Sequence, residues 1–396
     1  MLPSRKKTIK ALLYLYLPML YVSLGTMISV YSTKVPFIDW IRLFLSFAGV
    51  IIIVKSVVIV KLHKSNFFLI VLSLMLLMLL STFFKHVDSF RPESVREIAD
   101  SILWGAVLVI AYIMSYKHQE TLECATYLTW IIPLFTLVFM NLRKFFILND
   151  VEDIAMLSTA YYPLFLLPLV LLNKNTVIKW GLIFFIFITI LFSSKRGGFI
   201  VLFVALAINF FVSLRQKKSL KKMLPMLIGG GIGIYLLITL MNLFISQNDL
   251  SILERLGNIQ DDGGSGRDFV WAYTWRMITE ESNVLPLLFG HGFNAVYSDS
   301  MLELSAHNDF LEIIYDYGFI GLLLYFALYV QLFSYYKRIK KHLPNVAGAF
   351  AASIAMALCI SMVAHLVINP ILFMFLCLFW GLYIGECDKK IKQKYG

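Results

Sequence analysis

Charged residues and cysteines are both scarce in this sequence. Only 15% of its 396 residues are Asp, Glu, Lys or Arg, whereas an ordinary soluble protein carries roughly 25%. Burying a chain that is 59% hydrophobic would need a far larger core than this length can enclose. The composition therefore excludes a cytosolic enzyme, a disordered chain and a disulfide-stapled secreted module. The four cysteines are expected to be buried thiols.

Motifs for metals and nucleotides are also absent. The sequence has no HExxH, CxxC or Asp-x-Asp pattern and no P-loop or Rossmann fingerprint, so we expect neither a metal nor another cofactor. Because ATP is absent outside the membrane, a bond-forming enzyme there needs a substrate that arrives activated. A lipid diphosphate is the typical donor of that kind.

Long apolar stretches predict an all-α polytopic membrane protein, since about 20 apolar residues span a bilayer. We interpret 1–245 as transmembrane helices 1 to 9, 246–308 as one large external loop with short helices, and 309–396 as helices 10 to 12 with a basic cytoplasmic tail. The twelve predicted spans are 9–30, 38–60, 66–84, 98–116, 122–140, 154–172, 177–193, 197–214, 223–245, 309–335, 346–367 and 371–385.

Charge asymmetry orients these spans. Most of the 35 Lys and Arg residues fall on the side of the two termini, and most of the 24 acidic residues fall on the other side. Because cytoplasmic loops are enriched in Lys and Arg, we expect both termini in the cytoplasm. The basic residues behind the net charge of +11 then face anionic lipid, and they do not indicate a nucleic-acid-binding surface. The roles of two charged residues within spans stay open. Lys55 could reach toward the cytoplasmic end of span two, and Asp316 could line a sugar path or pair with a neighbouring span.

Cationic residues at two external positions are candidates for binding an anion. Lys195 and Arg196 lie between spans seven and eight and precede two glycines; contact with lipid headgroups is the alternative. In the long loop, RDFVWAYTWRMITEE predicts a helix that carries Arg267 and Arg276. Two guanidinium groups on one short helix suit phosphate oxygens, although Arg276 could instead pair locally with Glu280.

A glycine-flanked histidine in the same loop forms a third candidate. Gly290, His291 and Gly292 could present backbone amides to an anion, or they could form a plain tight turn. The sequence alone leaves both interpretations open.

Histidines at the outer ends of two spans are candidate bases. His307 lies at the entry to span ten and can take a proton near neutral pH, oriented by Asp309 or Glu312. Alternatively, Asn308 or Asp309 only caps the helix. His365, near the outer end of span eleven, is a second candidate base.

These segments together resemble a known family. SSKRGGFIVLF at a span boundary, GSGRDFVW and FGHGFNAVY in the loop, and SAHNDFLEIIYDYGFIGLLLY at the entry to span ten are similar to the O-antigen ligase/polymerase superfamily of bacterial envelope glycosyltransferases. The resemblance covers about 190–330. It implies a GT-C-like fold and the use of undecaprenyl-diphosphate-linked glycans without metal or nucleotide.

The resemblance also implies roles for individual residues. The catalytic set would be His307 as the base with Arg196 and Arg267 at the donor diphosphate. The substrate-binding set would be Lys195, Arg276, Gly290, His291, Gly292, Asn308, Asp309 and His365. Many relatives have a Ser-Arg-Gly type run where this chain has SSKRGG, which leaves open whether Lys195 shares the role of Arg196.

Members of the family differ in their acceptor. We favour a polymerase that joins lipid-linked repeat units into O-antigen or capsular polysaccharide, because such polymerases are numerous and diverge greatly. A ligase that transfers glycan to lipid A core is the alternative, and a polysaccharide transporter is less favoured because few charges lie at span midplanes. Expected partners are the lipid-linked donor, a glycan or lipid acceptor, the bilayer and a chain-length regulator. The site would face the periplasm from the cytoplasmic membrane.

Overall fold

The computed structural model describes residues 65–87, 92–117, 120–133, 136–137, 161–193, 196–216, 263–301 and 304–395. All regular elements in these ranges are helical, which confirms the all-α class. They are α1 (Asn66–Lys85), α2 (Pro92–Lys117), α3 (Glu120–Tyr127), α4 (Tyr161–Phe165), α5 (Leu167–Leu171), α6 (Thr176–Ser193), α7 (Arg196–Gln216), α8 (Gly263–Glu280), α9 (Val284–Phe289), α10 (Ala295–Asp299), α11 (Asp309–His342), α12 (Pro344–Val363) and α13 (Pro370–Tyr395), with a 3-10 turn at Leu128–Trp130.

Five helices in the described ranges are long and apolar enough to cross a membrane, namely α1, α2, α7, α11 and α12. They correspond to the predicted spans 66–84, 98–116, 197–214, 309–335 and 346–367. A shorter apolar helix covers Thr176–Ile190. The predicted spans 9–30, 38–60 and 223–245 lie outside the described residues, so the total of twelve spans stays a prediction.

Two predicted spans differ from a continuous helix in their described parts. The stretch 154–172 contains the short helices α4 and α5, separated at Leu166. Pro163 and Pro168 explain the interruption, because proline lacks a backbone N–H and clashes with the preceding helical turn. The stretch 122–140 likewise passes from α3 into the 3-10 turn.

Small residues let the core helices approach closely. Gly381 and Gly385 of α13 face the backbone of α2, where a Cβ added at Gly385 would lie 2.5 Å from the carbonyl oxygen of Tyr112. Such small-xxx-small spacing is typical of membrane helix packing, because it brings two backbones into contact. α13 thereby runs parallel to α2, and both helices begin at the same end of the bundle.

α1 packs antiparallel on α11. The end of α1 and the start of α11 therefore lie at the end of the bundle where α2 and α13 begin. The Phe67 and Tyr335 rings meet at one end with centroids 5.3 Å apart, and the Ser81 hydroxyl donates to the carbonyl oxygen of Asp316 at the other. We call the end that holds Asp316 the polar end. The opposite, basic end includes Lys340 and Lys341 in the last turn of α11.

α11 is interrupted at Gly318, where φ is 69° and ψ is −176°. The predicted span 309–335 was a continuous helix, so this break is a difference from the prediction. The nine residues before it, 309–317, form an entry segment at the polar end. Three acidic side chains of this segment, Asp309, Glu312 and Asp316, are fully buried.

Candidate functional site

The crossing of α9 and α11 depends on two glycines. Both have a positive φ, 78° at Gly290 and 69° at Gly318. A Cβ on Gly290 would collide with the carbonyl group of Asp316, and a Cβ on Gly318 would collide with that of Leu288. Only glycine combines this backbone conformation with such a close approach, so the two residues fix α9 against the entry segment.

The turn after α9 directs its backbone amides at α11. The amide of His291 donates to the carbonyl oxygen of Tyr315 at 3.0 Å, and that of Gly292 donates to the carbonyl oxygen of Asp316 at 2.8 Å. These donors are therefore used within the protein, and the structure favours the tight turn over an anion-binding loop. The His291 ring stacks on Tyr315 with centroids 4.4 Å apart.

Asp316 holds the start of α10. Its carboxylate accepts the amides of Asn294 at 2.9 Å and of Val296 at 3.1 Å. Carboxylates are favourable at a helix N-terminus because unpaired amides point outward there. This contact gives Asp316, whose role the sequence left open, a position in the support of α10.

A cluster that the sequence analysis missed braces the same turn. Lys85 donates to the carbonyl oxygen of Phe293 at 2.7 Å and to the Glu97 carboxylate at 3.1 Å. His86 lies 2.9 Å from the same carboxylate. The available signal was the placement of Lys85 and Glu97 at the facing ends of two consecutive predicted spans.

Asp309 and Asn308 have structural contacts in the entry segment. The Asp309 carboxylate accepts the amides of Leu366 at 2.8 Å and Val367 at 3.1 Å. It also accepts the Ser361 hydroxyl at 2.7 Å. Asn308 is the N-cap of α11, with its side-chain oxygen accepting two amides. Asp309 thus ties the segment after α12 to α11, and the helix-capping interpretation holds for Asn308.

Two histidines stack at the polar end. The rings of His307 and His365 lie 4.2 Å apart between centroids, with 29° between their planes. His365 Nδ1 is 3.2 Å from Glu312 Oε1, and His365 Nε2 is 3.3 Å from the Ser305 hydroxyl oxygen. We call Ser305, His307, Glu312 and His365 the histidine cluster.

Glu312 organises the histidine cluster from within. Its Oε1 accepts the backbone amide of His307 at 3.2 Å, and the carboxyl group also accepts that of Ala306. His307 has a φ of 52°, which is unusual for a residue with a side chain. Among the described residues, Glu312 Oε2 has no hydrogen-bond partner. One buried carboxylate therefore contacts both histidines, one through its ring and one through its backbone.

Arg267 lies within electrostatic range of the Tyr161 hydroxyl. That hydroxyl is 3.1 Å from where a Cβ of Gly197, in the first turn of α7, would be. The same Cβ position is 3.6 Å from the Val363 side chain, two residues before His365. Tyr161, the first turn of α7 and the segment that carries His365 therefore lie together.

The two arginines of α8 do not converge. Nine residues correspond to two and a half helical turns, so Arg267 and Arg276 lie on opposite faces. The Arg276 side chain is 73% exposed and its Nε lies 2.6 Å from Glu280, in agreement with the local-pairing alternative. Lys195 and the side chain of Arg196 lie outside the described residues, although α7 begins at Arg196.

The arrangement combines a cation with a pair of imidazoles at one end of a helical bundle. Such a site can bind a phosphate group and accept a proton from a hydroxyl. Residues 181–326 match the family model described as O-antigen ligase. The matched range includes Arg267 and His307 and ends before His365. No curated protein matches the chain.

Proposed function

Because residues 181–326 match the family model described as O-antigen ligase, we propose that this chain belongs to the O-antigen ligase/polymerase superfamily and is a membrane glycosyltransferase that polymerises undecaprenyl-diphosphate-linked repeat units into O-antigen or capsular polysaccharide. The observation that carries the proposal is the hydrogen bond of 2.8 Å from the Trp271 indole N–H to the carbonyl oxygen of Ala306, which holds the helix of Arg267 against the residue before His307. The first turn of α7, which begins at Arg196, lies next to Val363, two residues before His365.

The cations act on the donor. Arg267, with Arg196 and Lys195 at the start of α7, binds the diphosphate and stabilises the charge that develops as it leaves. Arg276 belongs to the substrate-binding set predicted from the sequence, but its exposure and its pairing with Glu280 remove it from the diphosphate in this proposal.

The chemical step is a direct displacement. An acceptor hydroxyl oxygen forms a bond to the anomeric carbon, and the bond from that carbon to the diphosphate oxygen breaks. The electron pair of the broken bond leaves with undecaprenyl diphosphate. The hydroxyl proton passes to an imidazole of the stacked pair, a role that the family resemblance gives to His307.

The proposed orientation follows from charge. The last turns of α11 and α13 carry Lys340, Lys341, Lys392 and Lys394, and a basic end is typical of the cytoplasmic side. We therefore place the polar end at the outer face of the cytoplasmic membrane and both termini inside. A chain-length regulator is the expected protein partner.

The matching family, described as O-antigen ligase, favours an O-antigen ligase as the second candidate. A strain that lacks the protein separates the two on a lipopolysaccharide gel. A single repeat unit on lipid A core supports the polymerase, whereas lipid A core without any repeat unit supports the ligase. An unchanged gel and capsule profile contradicts both, and counterflow of labelled lipid-linked glycan in proteoliposomes would then favour a transporter.

A further inference from the structure

We propose that His365, oriented by the carboxylate of Glu312, is the group that receives the acceptor's proton, and that the Ser305 hydroxyl marks where the attacking hydroxyl binds. This inference rests on the proposed glycosyl transfer and refines its site. It moves the base from His307 to His365, outside the range that matches the family model. Glu312 becomes a positioning residue that acts through His365.

Hydrogen bonding determines which nitrogen of His365 can act as the base. The 3.2 Å contact joins Nδ1 to Glu312 Oε1, an oxygen that already accepts the backbone amide of His307. With Oε1 as the acceptor of this contact too, Nδ1 carries the proton. Nε2 is then left with its lone pair, which is the form of imidazole that acts as a general base.

Ser305 occupies the position that a substrate hydroxyl needs. Its hydroxyl oxygen is 3.3 Å from Nε2 of His365, and both side chains are partly exposed. A hydroxyl at this place can donate into the lone pair of Nε2. During the reaction the sugar hydroxyl of the acceptor takes the place of the Ser305 hydroxyl in that hydrogen bond. Ser305 itself does not react.

Burial couples Glu312 closely to His365. The side chain has no exposed area, and in the described part of the chain its Oε2 makes no hydrogen bond. Burial disfavours an isolated carboxylate charge, but a cation beside the carboxyl group favours that charge, because water screens such a pair poorly. The imidazolium formed when His365 takes the proton is that cation, so Glu312 stabilises it as it forms.

His307 has a different place in the same arrangement. Its backbone amide is bound by Glu312, and its ring packs flat on His365 at 4.2 Å between centroids. Through these contacts Glu312 fixes the loop that lines one side of His365. His307 therefore holds the His365 ring in position.

The glycosyl transfer needs no co-reactant. The acceptor oxygen bonds to the anomeric carbon while its proton moves to His365 Nε2. The bond between that carbon and the diphosphate oxygen breaks, and its electron pair leaves on undecaprenyl diphosphate. His365 later releases the proton to water, which restores the neutral imidazole beside Glu312.

Substitutions at Glu312 distinguish a role of its charge in the reaction from a purely structural role of its side chain. Gln keeps an oxygen that can accept the two backbone amides but removes the charge, whereas Asp keeps the charge on a shorter side chain. If Glu312 acts through His365, the kcat of Glu312→Gln falls at least about 100-fold, with KM for the donor and the melting temperature nearly unchanged. Glu312→Asp retains more activity than Glu312→Gln. A purely structural role predicts the reverse order, which would overturn the proposal.

The assay uses the full-length protein in proteoliposomes, with undecaprenyl-diphosphate-linked glycan extracted from a strain that lacks the protein. His365→Gln is expected to lose as much kcat as Glu312→Gln, and the double variant to lose little more, because the two residues act as one unit. Wild-type kcat in His365→Gln refutes the inference while the proposed function stands. No transfer by the wild-type protein refutes the proposed function itself.

Discussion

The indole N–H of Trp271 donates to the carbonyl oxygen of Ala306 at 2.8 Å. This bond joins α8 to the residue that precedes His307, across 35 positions of sequence. Arg267 lies one turn before Trp271 on the same face of α8. The bond therefore sets the distance between the guanidinium group and the histidine cluster, and we expect it to matter for activity more than for folding.

Replacing Trp271 by Phe tests this coupling. Phe keeps most of the apolar area but has no N–H, so the variant loses one hydrogen bond worth about 1 kcal/mol. We expect about a three- to tenfold lower rate of glycan transfer. Trp275, one turn further along and 51% exposed, supplies the control: Trp275→Phe should transfer glycan at the wild-type rate. Equal rates in both variants would refute the coupling.

We predict that Ala substitutions at Arg267 and Arg276 have very different effects on glycan transfer. Arg267→Ala should lower glycan transfer at least about 100-fold, as expected for the loss of a group that stabilises developing charge. Arg276→Ala should leave it unchanged, because this exposed side chain is paired with Glu280 on the opposite face. Chain length on a gel and membrane levels by immunoblot provide the measurement. Loss of polysaccharide in Arg276→Ala would require a donor site on the outer face of α8.

The sequence predicted the parts of the fold that depend on local composition. α1 and α12 are continuous apolar segments of 20 residues, and hydropathy identifies such segments without knowledge of their neighbours. The break at Gly318 lay within a predicted span, although an isolated glycine inside a helical pattern weakens the prediction of a continuous helix. The prolines of 154–172 were a similar signal.

The candidate site was harder to predict from the sequence than the fold, for two different reasons. The separation of Arg267 from Arg276 could have been predicted, since a spacing of nine residues puts them on opposite faces at 3.6 residues per turn. In contrast, Glu312 and His365 are 53 positions apart, and no periodic pattern links residues on two different helices. Such a contact arises from tertiary packing alone.

Asp309 is predicted to be a stability residue. Asp309→Ala leaves the amides of Leu366 and Val367 and the hydroxyl of Ser361 without their acceptor, and each buried unpaired donor costs about 1–3 kcal/mol. We expect a clear fall in the melting temperature of the detergent-solubilised protein. Hydrogen exchange should rise at 364–369. Glu280→Ala, which removes an exposed ion-pair partner, is the control and should melt like the wild-type protein.

The glycine crossing gives the last prediction. Gly290→Ala and Gly318→Ala should each destabilise the protein by more than about 2 kcal/mol, because the new methyl group meets backbone that cannot move aside and φ is positive as well. Gly181→Ala, in the middle of α6 with open space around it, should be stabilising by about 0.5–1 kcal/mol.

Gly266→Ala distinguishes the cost of a positive φ from the cost of a methyl group that collides with facing backbone. Its φ is +76° but nothing lies near its Cβ position, so only the strain, about 1–2 kcal/mol, should be seen. Thermal unfolding of the four variants in one detergent gives the comparison. If Gly290→Ala and Gly318→Ala melt no lower than Gly266→Ala, α9 can move away from α11, and the close crossing is not required for the fold.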